Sequence, residues 1–177
     1  MGVLTFLIGG ARSGKSALAV EIGRRHDGDV VFIATAQAFD DDMQARIDAH
    51  RDERPAWPTV EAPLELAAAI ASAPADALVI VDCITVWVGN LFVHVPSSSV
   101  RTQSYGDVSQ ALADRSGPTI VISNEVGLGV HPETPLGREY RDELGRVNQQ
   151  LARMASRSLM LVAGRALPLS DPLEQLS

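Results

Sequence analysis

Residues 9–16 read Gly-Gly-Ala-Arg-Ser-Gly-Lys-Ser, and no other segment limits the possible folds as strongly. The pattern G-x-x-x-x-G-K-[ST] predicts a glycine loop whose backbone N–H groups surround phosphate oxygens. Its chemistry requires a strand before it and a helix after it, so that the helix dipole adds to the anion site. Both are legible. Val3 to Ile8 is a short, mostly apolar run, as in a strand buried on both faces. From Ser16 to Arg25 the residues favour a helix, with Ala17, Val20 and Ile22 at near-helical spacing. Lys15 is then expected on the terminal phosphates and the Ser16 hydroxyl on Mg²⁺.

The rest of the chain repeats this alternation. Further buried strands are expected at residues 30–34, 77–81, 118–122 and 158–163. Helices are expected at 41–54, 63–73, 84–93, 108–115 and 136–157. Residues 94–107 are polar and Ser-rich and read as a mobile loop, and the tail after 163 reads as irregular. Strands alternating with helices specify an α/β fold with a mainly parallel sheet flanked by helices. No repeat or linker divides residues 1–177, so one nucleotide-binding catalytic domain is expected. Ligands of such sheets sit at the carboxyl ends of the strands. Thr35, Asp82 and Asn124-Glu125 all fall at such ends.

Charge narrows the partners. The net charge is −7, which gives no general attraction to nucleic acid or an anionic membrane, so positive charge for a phosphorylated substrate must be gathered locally. No stretch reaches the ~20 apolar residues of a membrane span. The single cysteine, Cys83, allows no internal disulfide and fits a reducing compartment, so a cytoplasmic location is expected.

A local positive cluster does exist. Arg46, His50 and Arg54 are spaced by four and share a helical face, with Arg51 beside them. Neutral imidazole is a competent nucleophile toward phosphorus, and flanking arginines hold phosphates in line. Spacing alone favours a solvated basic face with a surface histidine. Asp82 ends an apolar strand, as the Mg²⁺-organising acid of P-loop enzymes does, or it caps the next helix. Glu125 is placed to orient a water, to accept a hydroxyl proton as general base, or to cap a turn. Arg138, Arg141, Gly145 and Asn148 fall near one helical face, and Gly145 predicts a close approach by another backbone or a ligand.

Five blocks, taken in order, carry a resemblance. They are Gly9 to Ser16, Ala34-Thr-Ala36, Asp-Asp-Asp-Met-x-x-Arg-Ile-x-x-His-Arg at 40–51, Asp-Cys-Ile-Thr-Val-Trp-Val-x-Asn at 82–90, and Ser-Asn-Glu-Val-Gly-x-Gly at 123–129. The chain resembles the bifunctional adenosylcobinamide kinase / adenosylcobinamide-phosphate guanylyltransferases of cobalamin biosynthesis. The resemblance implies a RecA-like P-loop NTPase fold with one antiparallel strand, and a homotrimer. It implies phosphorylation of adenosylcobinamide with ATP or GTP. GMP then passes from GTP through a guanylylated histidine to adenosylcobinamide phosphate, giving adenosylcobinamide-GDP and pyrophosphate. His50 matches the guanylylated position. Gly9, Gly10, Ala11, Arg12, Ser13, Gly14, Lys15, Ser16, Ala34, Thr35, Ala36, Arg51, Asp52, Glu53, Arg54, Glu61 and Asp82 match nucleotide-contacting positions. Lys15, His50 and Glu125 are the catalytic candidates, with Ser16 and Asp82 for Mg²⁺. The rival readings are a monofunctional P-loop small-molecule kinase and a RecA-like ATPase or switch module driving a partner.

Overall fold

The structure is a computed structural model, and it describes residues 2–38, 51 and 54–176. Seven strands are seen: β1 (Leu4–Gly9), β2 (Val30–Ala34), β3 (Thr59–Glu61), β4 (Leu78–Asp82), β5 (Thr119–Ile122), β6 (Arg157–Val162) and β7 (Arg165–Leu169). They form one sheet in the order β3-β2-β4-β5-β1-β6-β7. Every pairing is parallel except β6 with β7.

Burial on both faces explains the continuous apolar runs. In β1, Phe6 and Ile8 face one core and Leu7 the other, and Leu7 is fully buried. Helix α1 (Lys15–Arg24) covers the Leu7 face with Ala19, Leu18 and Ile22. The opposite core is closed by α2 (Leu66–Ser72), α3 (Ile84–His94), α4 (Ser98–Asp114) and α5 (Pro135–Met154). Helix α3 is apolar on most sides and is a core helix, burying Ile84, Trp87, Val88 and Leu91. Pro135 opens α5, where its missing N–H costs nothing, and the Thr134 hydroxyl accepts from Gly137 N. No helix among the described residues is long and apolar enough to cross a membrane.

Four expectations are corrected. The loop expected over residues 94–107 shrinks to 95–97, because α4 runs from Ser98 to Asp114 and absorbs the short helix expected at 108–115. Its buried side chains Arg101, Tyr105, Val108 and Leu112 do recur at i, i+4, i+7 and i+11. The first two are polar, and Ser97 to Ser99 with Gly106 imitate loop chemistry, which hides the period. The tail is not irregular either: β7 pairs antiparallel with β6 across a two-residue turn. Ala163 and Gly164 both have positive φ, 51° and 72°, as a type I′ hairpin turn demands. Residues 59–61 form the edge strand β3, where the sequence pattern predicts none. Finally, a Cβ placed on Gly145 meets nothing within 4 Å, so no backbone among the described residues approaches it. Gly145→Ala should therefore stabilise the chain by about 1 kcal/mol through helix propensity alone, read as a raised denaturation midpoint. The expected helix over 41–54 lies outside the described residues except for Arg51 and Arg54.

Candidate active site

The glycine loop is shaped by two positions that tolerate no side chain. Gly9 has φ 154°, and a Cβ there would overlap Leu161 O on β6. Gly14 has φ 99° and starts α1, and a Cβ there would lie 3.4 Å from Gly164 Cα. The β6–β7 turn supports the loop from outside, since Gly164 N donates to Ser13 O at 3.0 Å. This brace is not legible in the sequence, because it rests on a tail that reads as irregular. Lys15 is buried, and its ammonium donates to Gly9 O at 3.0 Å, Gly10 O at 2.7 Å and Ser13 Oγ at 3.2 Å. Burial lowers its pKa from the ordinary lysine value more than the neighbouring Cys83 and Asp82 raise it.

The strand ends gather the remaining groups. A cavity of about 730 Å³ is lined by the loop from Ala11 to Ser16, by Ala34 at the end of β2 and Ala36 just past it, by Glu61 of β3, and by Asp82 and Cys83. Arg51, Arg54 and Asn124 complete its polar wall. Two blocks well separated in sequence thus face one space. Arg54 is held against the Phe32 ring, 3.9 Å from its centroid, and donates to Thr59 Oγ1 at 3.3 Å. Burial lowers its pKa, as does nearby Arg51, while Asp82 opposes them. Arg51 reaches Glu61 at 3.2 Å in an exposed ion pair. Such pairs contribute little to stability, so both groups can exchange partners at low cost. Phe32 is a site residue that sequence reasoning missed, because its apolar character reads only as strand core.

Other candidates stand differently. Thr35 is fully buried and turns away from the cavity, where its hydroxyl donates to Cys83 O at 2.8 Å and accepts from Cys83 N at 2.9 Å. Asn90 of α3 donates to Thr35 O at 2.8 Å. Thr35 therefore holds the Asp82-Cys83 turn, whose peptide bond is cis. The Cys83 thiol is pushed up to about 12 by burial, so it stays protonated and unreactive at neutral pH. Glu125 sits just beyond β5, its N–H on Gly9 O at 3.1 Å and its carboxylate accepting from Gly127 N. That is the turn-capping geometry, and it leaves Glu125 off the cavity wall. His50, Asp52 and Glu53 lie outside the described residues.

A glycine loop between a buried strand and a helix, its lysine, and an acid ending the strand two places along the sheet together define a P-loop nucleotide-binding protein of RecA-like fold. Solved structures agree on that fold. The chain superposes on the RadB recombinase with a TM-score of 0.53 at 18% identity, over 90% of this chain and 74% of that one. On a prototypical ATPase from the type III secretion system of pathogenic bacteria the TM-score is 0.56 at 11% identity, over 92% of this chain and 51% of the ATPase. This chain thus spans about half of that ATPase.

Sequence comparison is more specific. The cobinamide kinase / cobinamide phosphate guanyltransferase family matches residues 5–169, and the chain belongs to that family. It is 42% identical to the bifunctional adenosylcobalamin biosynthesis protein CobP of Pseudomonas aeruginosa, covering 94% of this chain and 98% of the relative. It is 38% identical to the bifunctional adenosylcobalamin biosynthesis protein CobU of Salmonella typhimurium, covering 92% and 97%. The chain is a transferase of cobalamin biosynthesis, and neither rival class is favoured.

Proposed function

We propose that this protein carries out both transfers from one triphosphate cavity, phosphorylating adenosylcobinamide and then guanylylating the product. One observation carries the reading: the P-loop, Arg51 and Arg54 line the same space. In the first transfer the aminopropanol hydroxyl of adenosylcobinamide attacks the γ-phosphorus of ATP or GTP, the bond from that phosphorus to the β–γ bridging oxygen breaks, and ADP or GDP leaves. Lys15 offsets charge on the terminal phosphates, and loop N–H groups hold them in line. Glu125 is a base for the hydroxyl proton only if its carboxylate leaves Gly127 N.

In the second transfer a ring nitrogen of His50 attacks the α-phosphorus of GTP. A phosphorus–nitrogen bond forms, the α-phosphorus to bridging-oxygen bond breaks, and pyrophosphate leaves. A phosphate oxygen of adenosylcobinamide phosphate then takes the GMP, giving adenosylcobinamide-GDP and free histidine. Arg51, which follows His50 directly, and Arg54 supply the positive charge that the attack needs. Thr35 acts behind the site by fixing the Asp82 turn, while Ala34, Ala36 and Glu61 bound the nucleotide. The family resemblance supports a homotrimer, and the single cysteine fits a cytoplasmic location.

Mg²⁺ fits the donors present. Ser16 and Asp82 bring a hydroxyl and a carboxylate to one cavity, hard oxygen ligands of the kind Mg²⁺ takes alongside phosphates. When bound there it would neutralise charge on the transferring phosphates.

The test is incubation with GTP labelled in the α-phosphate. The chain should acquire an acid-labile, alkali-stable label, and His50→Ala should abolish it while leaving phosphorylation of adenosylcobinamide measurable. An unlabelled wild-type protein that still phosphorylates the alcohol would reduce the function to a kinase alone.

A further inference from the structure

The sheet order places β5 between β1, which carries the P-loop, and β4, which carries Asp82. Its carboxyl end therefore opens between the lysine that meets terminal phosphates and the acid opposite. Asn124 lies just past that end and lines the cavity with Lys15, Ser16 and Asp82.

Its backbone is gripped from both sides. Asn124 N donates to Thr85 Oγ1 at 2.6 Å, and Asn148 Nδ2 donates to Asn124 O at 3.1 Å. Ser123 Oγ donates to Asn148 Oδ1 at 2.6 Å. A serine hydroxyl has one proton, so in the 3.3 Å contact between Thr85 Oγ1 and Ser123 Oγ the threonine is the donor. Tyr140 OH donates to Thr85 O at 3.1 Å, joining α5 to α3 at the same point. Thr85, Ser123 and Asn148 are all buried, and each hydrogen bond fixes the direction of the next. A buried network satisfied in one arrangement holds its segment rigidly. Such rigidity is what a group aimed at developing charge requires.

Every bond in this clamp reaches Asn124 through its backbone N or O. The carboxamide is thus left to the cavity, and it offers two N–H donors. We propose that Asn124 donates a hydrogen bond to the terminal phosphate during phosphoryl transfer, and that Thr85 and Asn148 are positioning residues that aim it from α3 and α5. The proposal rests on the kinase reading above.

Asn124→Ala removes the carboxamide and none of the clamp, so it should keep the wild-type melting temperature. Equilibrium binding of ATP and GTP should stay within about threefold, while single-turnover phosphorylation of adenosylcobinamide falls about 100-fold, the size of effect seen when one charge-stabilising donor is lost. Thr85→Val should lower kcat with little change in KM, and Thr85→Ser should restore it. Transfer by Asn124→Ala at the wild-type rate overturns the proposal, as does an equal loss of binding and transfer. If wild-type protein phosphorylates no cobinamide, the kinase reading itself fails. Slow nucleotide hydrolysis then decides about Asn124, and equal rates in wild type and Asn124→Ala overturn its role.

Discussion

Lys15→Met should reduce phosphoryl transfer to adenosylcobinamide by at least about 100-fold, while the fold survives. The reason lies in where the ammonium sits. It is buried, and in this structure its three donors are spent on Gly9 O, Gly10 O and Ser13 Oγ. Those acceptors are neutral loop groups, so a triphosphate competes for the ammonium with charge that they lack. Away from bulk water such a contact strengthens, and losing one preorganised group costs about 3–4 kcal/mol of transition-state stabilisation. Arginine should not substitute, because its planar fork is wider than an ammonium and the loop backbone closes tightly around it. Methionine retains most of the buried stem. Single-turnover transfer and nucleotide binding, measured on the same protein, check this. Transfer within a few-fold of wild type would remove Lys15 from the reaction.

The largest stability effect is expected far from the nucleotide. Arg101→Met should destabilise the chain by about 3–5 kcal/mol, because it leaves a buried carboxylate without its cation. Arg101 is only 3% exposed. It grips Glu143 with two bonds, 3.1 and 2.8 Å, reaches Glu139 at 2.6 Å, and donates to Val95 O and Pro96 O. Its guanidinium also lies 4.0 Å from the centre of the Phe92 ring. Tyr105 adds a 2.6 Å bond to Glu143 but no positive charge. Replacing Glu143 with leucine in the same chain should recover much of the loss, since an apolar pair has no charge to desolvate.

The pH dependence follows with a definite sign. Burial pushes the Glu143 carboxyl up, but bonds from Arg101 and Tyr105 and the positive charge nearby bring it below the ordinary carboxylate value of 4.5. A depressed folded pKa gives stability that is present above the unfolded value and lost as pH falls through the folded one. In Arg101→Met the burial, the Tyr105 bond and the charge of Arg146 remain, and burial, the largest of these, should raise the carboxyl and reverse the sign. The penalty of the substitution should therefore shrink as pH drops from about 7 toward about 4. Denaturant titrations of both proteins at the two pH values check it, and a penalty constant with pH would place the effect in packing alone.

The same residues show why some of the fold was legible and some was not. The P-loop is a local statement: two glycines, a lysine and a serine work through backbone angles and the helix that they start. Parallel strands such as β1 and β4 announce themselves because both faces are buried, leaving continuous apolar runs. Helix α4 had no such signal. Its buried face begins with Arg101, which is acceptable in a core only because Glu143 stands across from it, 42 residues away in sequence. Strand β7 is exposed along its whole length and exists by pairing with β6. The close backbone expected at Gly145 is absent among the described residues for a related reason, since a glycine shows freedom or crowding only once its neighbours are known.

The sequence by itself determined the triphosphate loop, the alternation of strands and helices, the acid at the end of β4, and the family. These depend on periodicity and short spacing, which the covalent chain carries directly. Tertiary structure alone decided that Arg51 and Arg54 share a cavity with Lys15, that Thr35 braces rather than lines it, and that Asn124 stands between lysine and acid. Those facts follow from sheet order and from buried hydrogen bonds between distant residues, and a polar side chain takes its role from the partner that removes it from water.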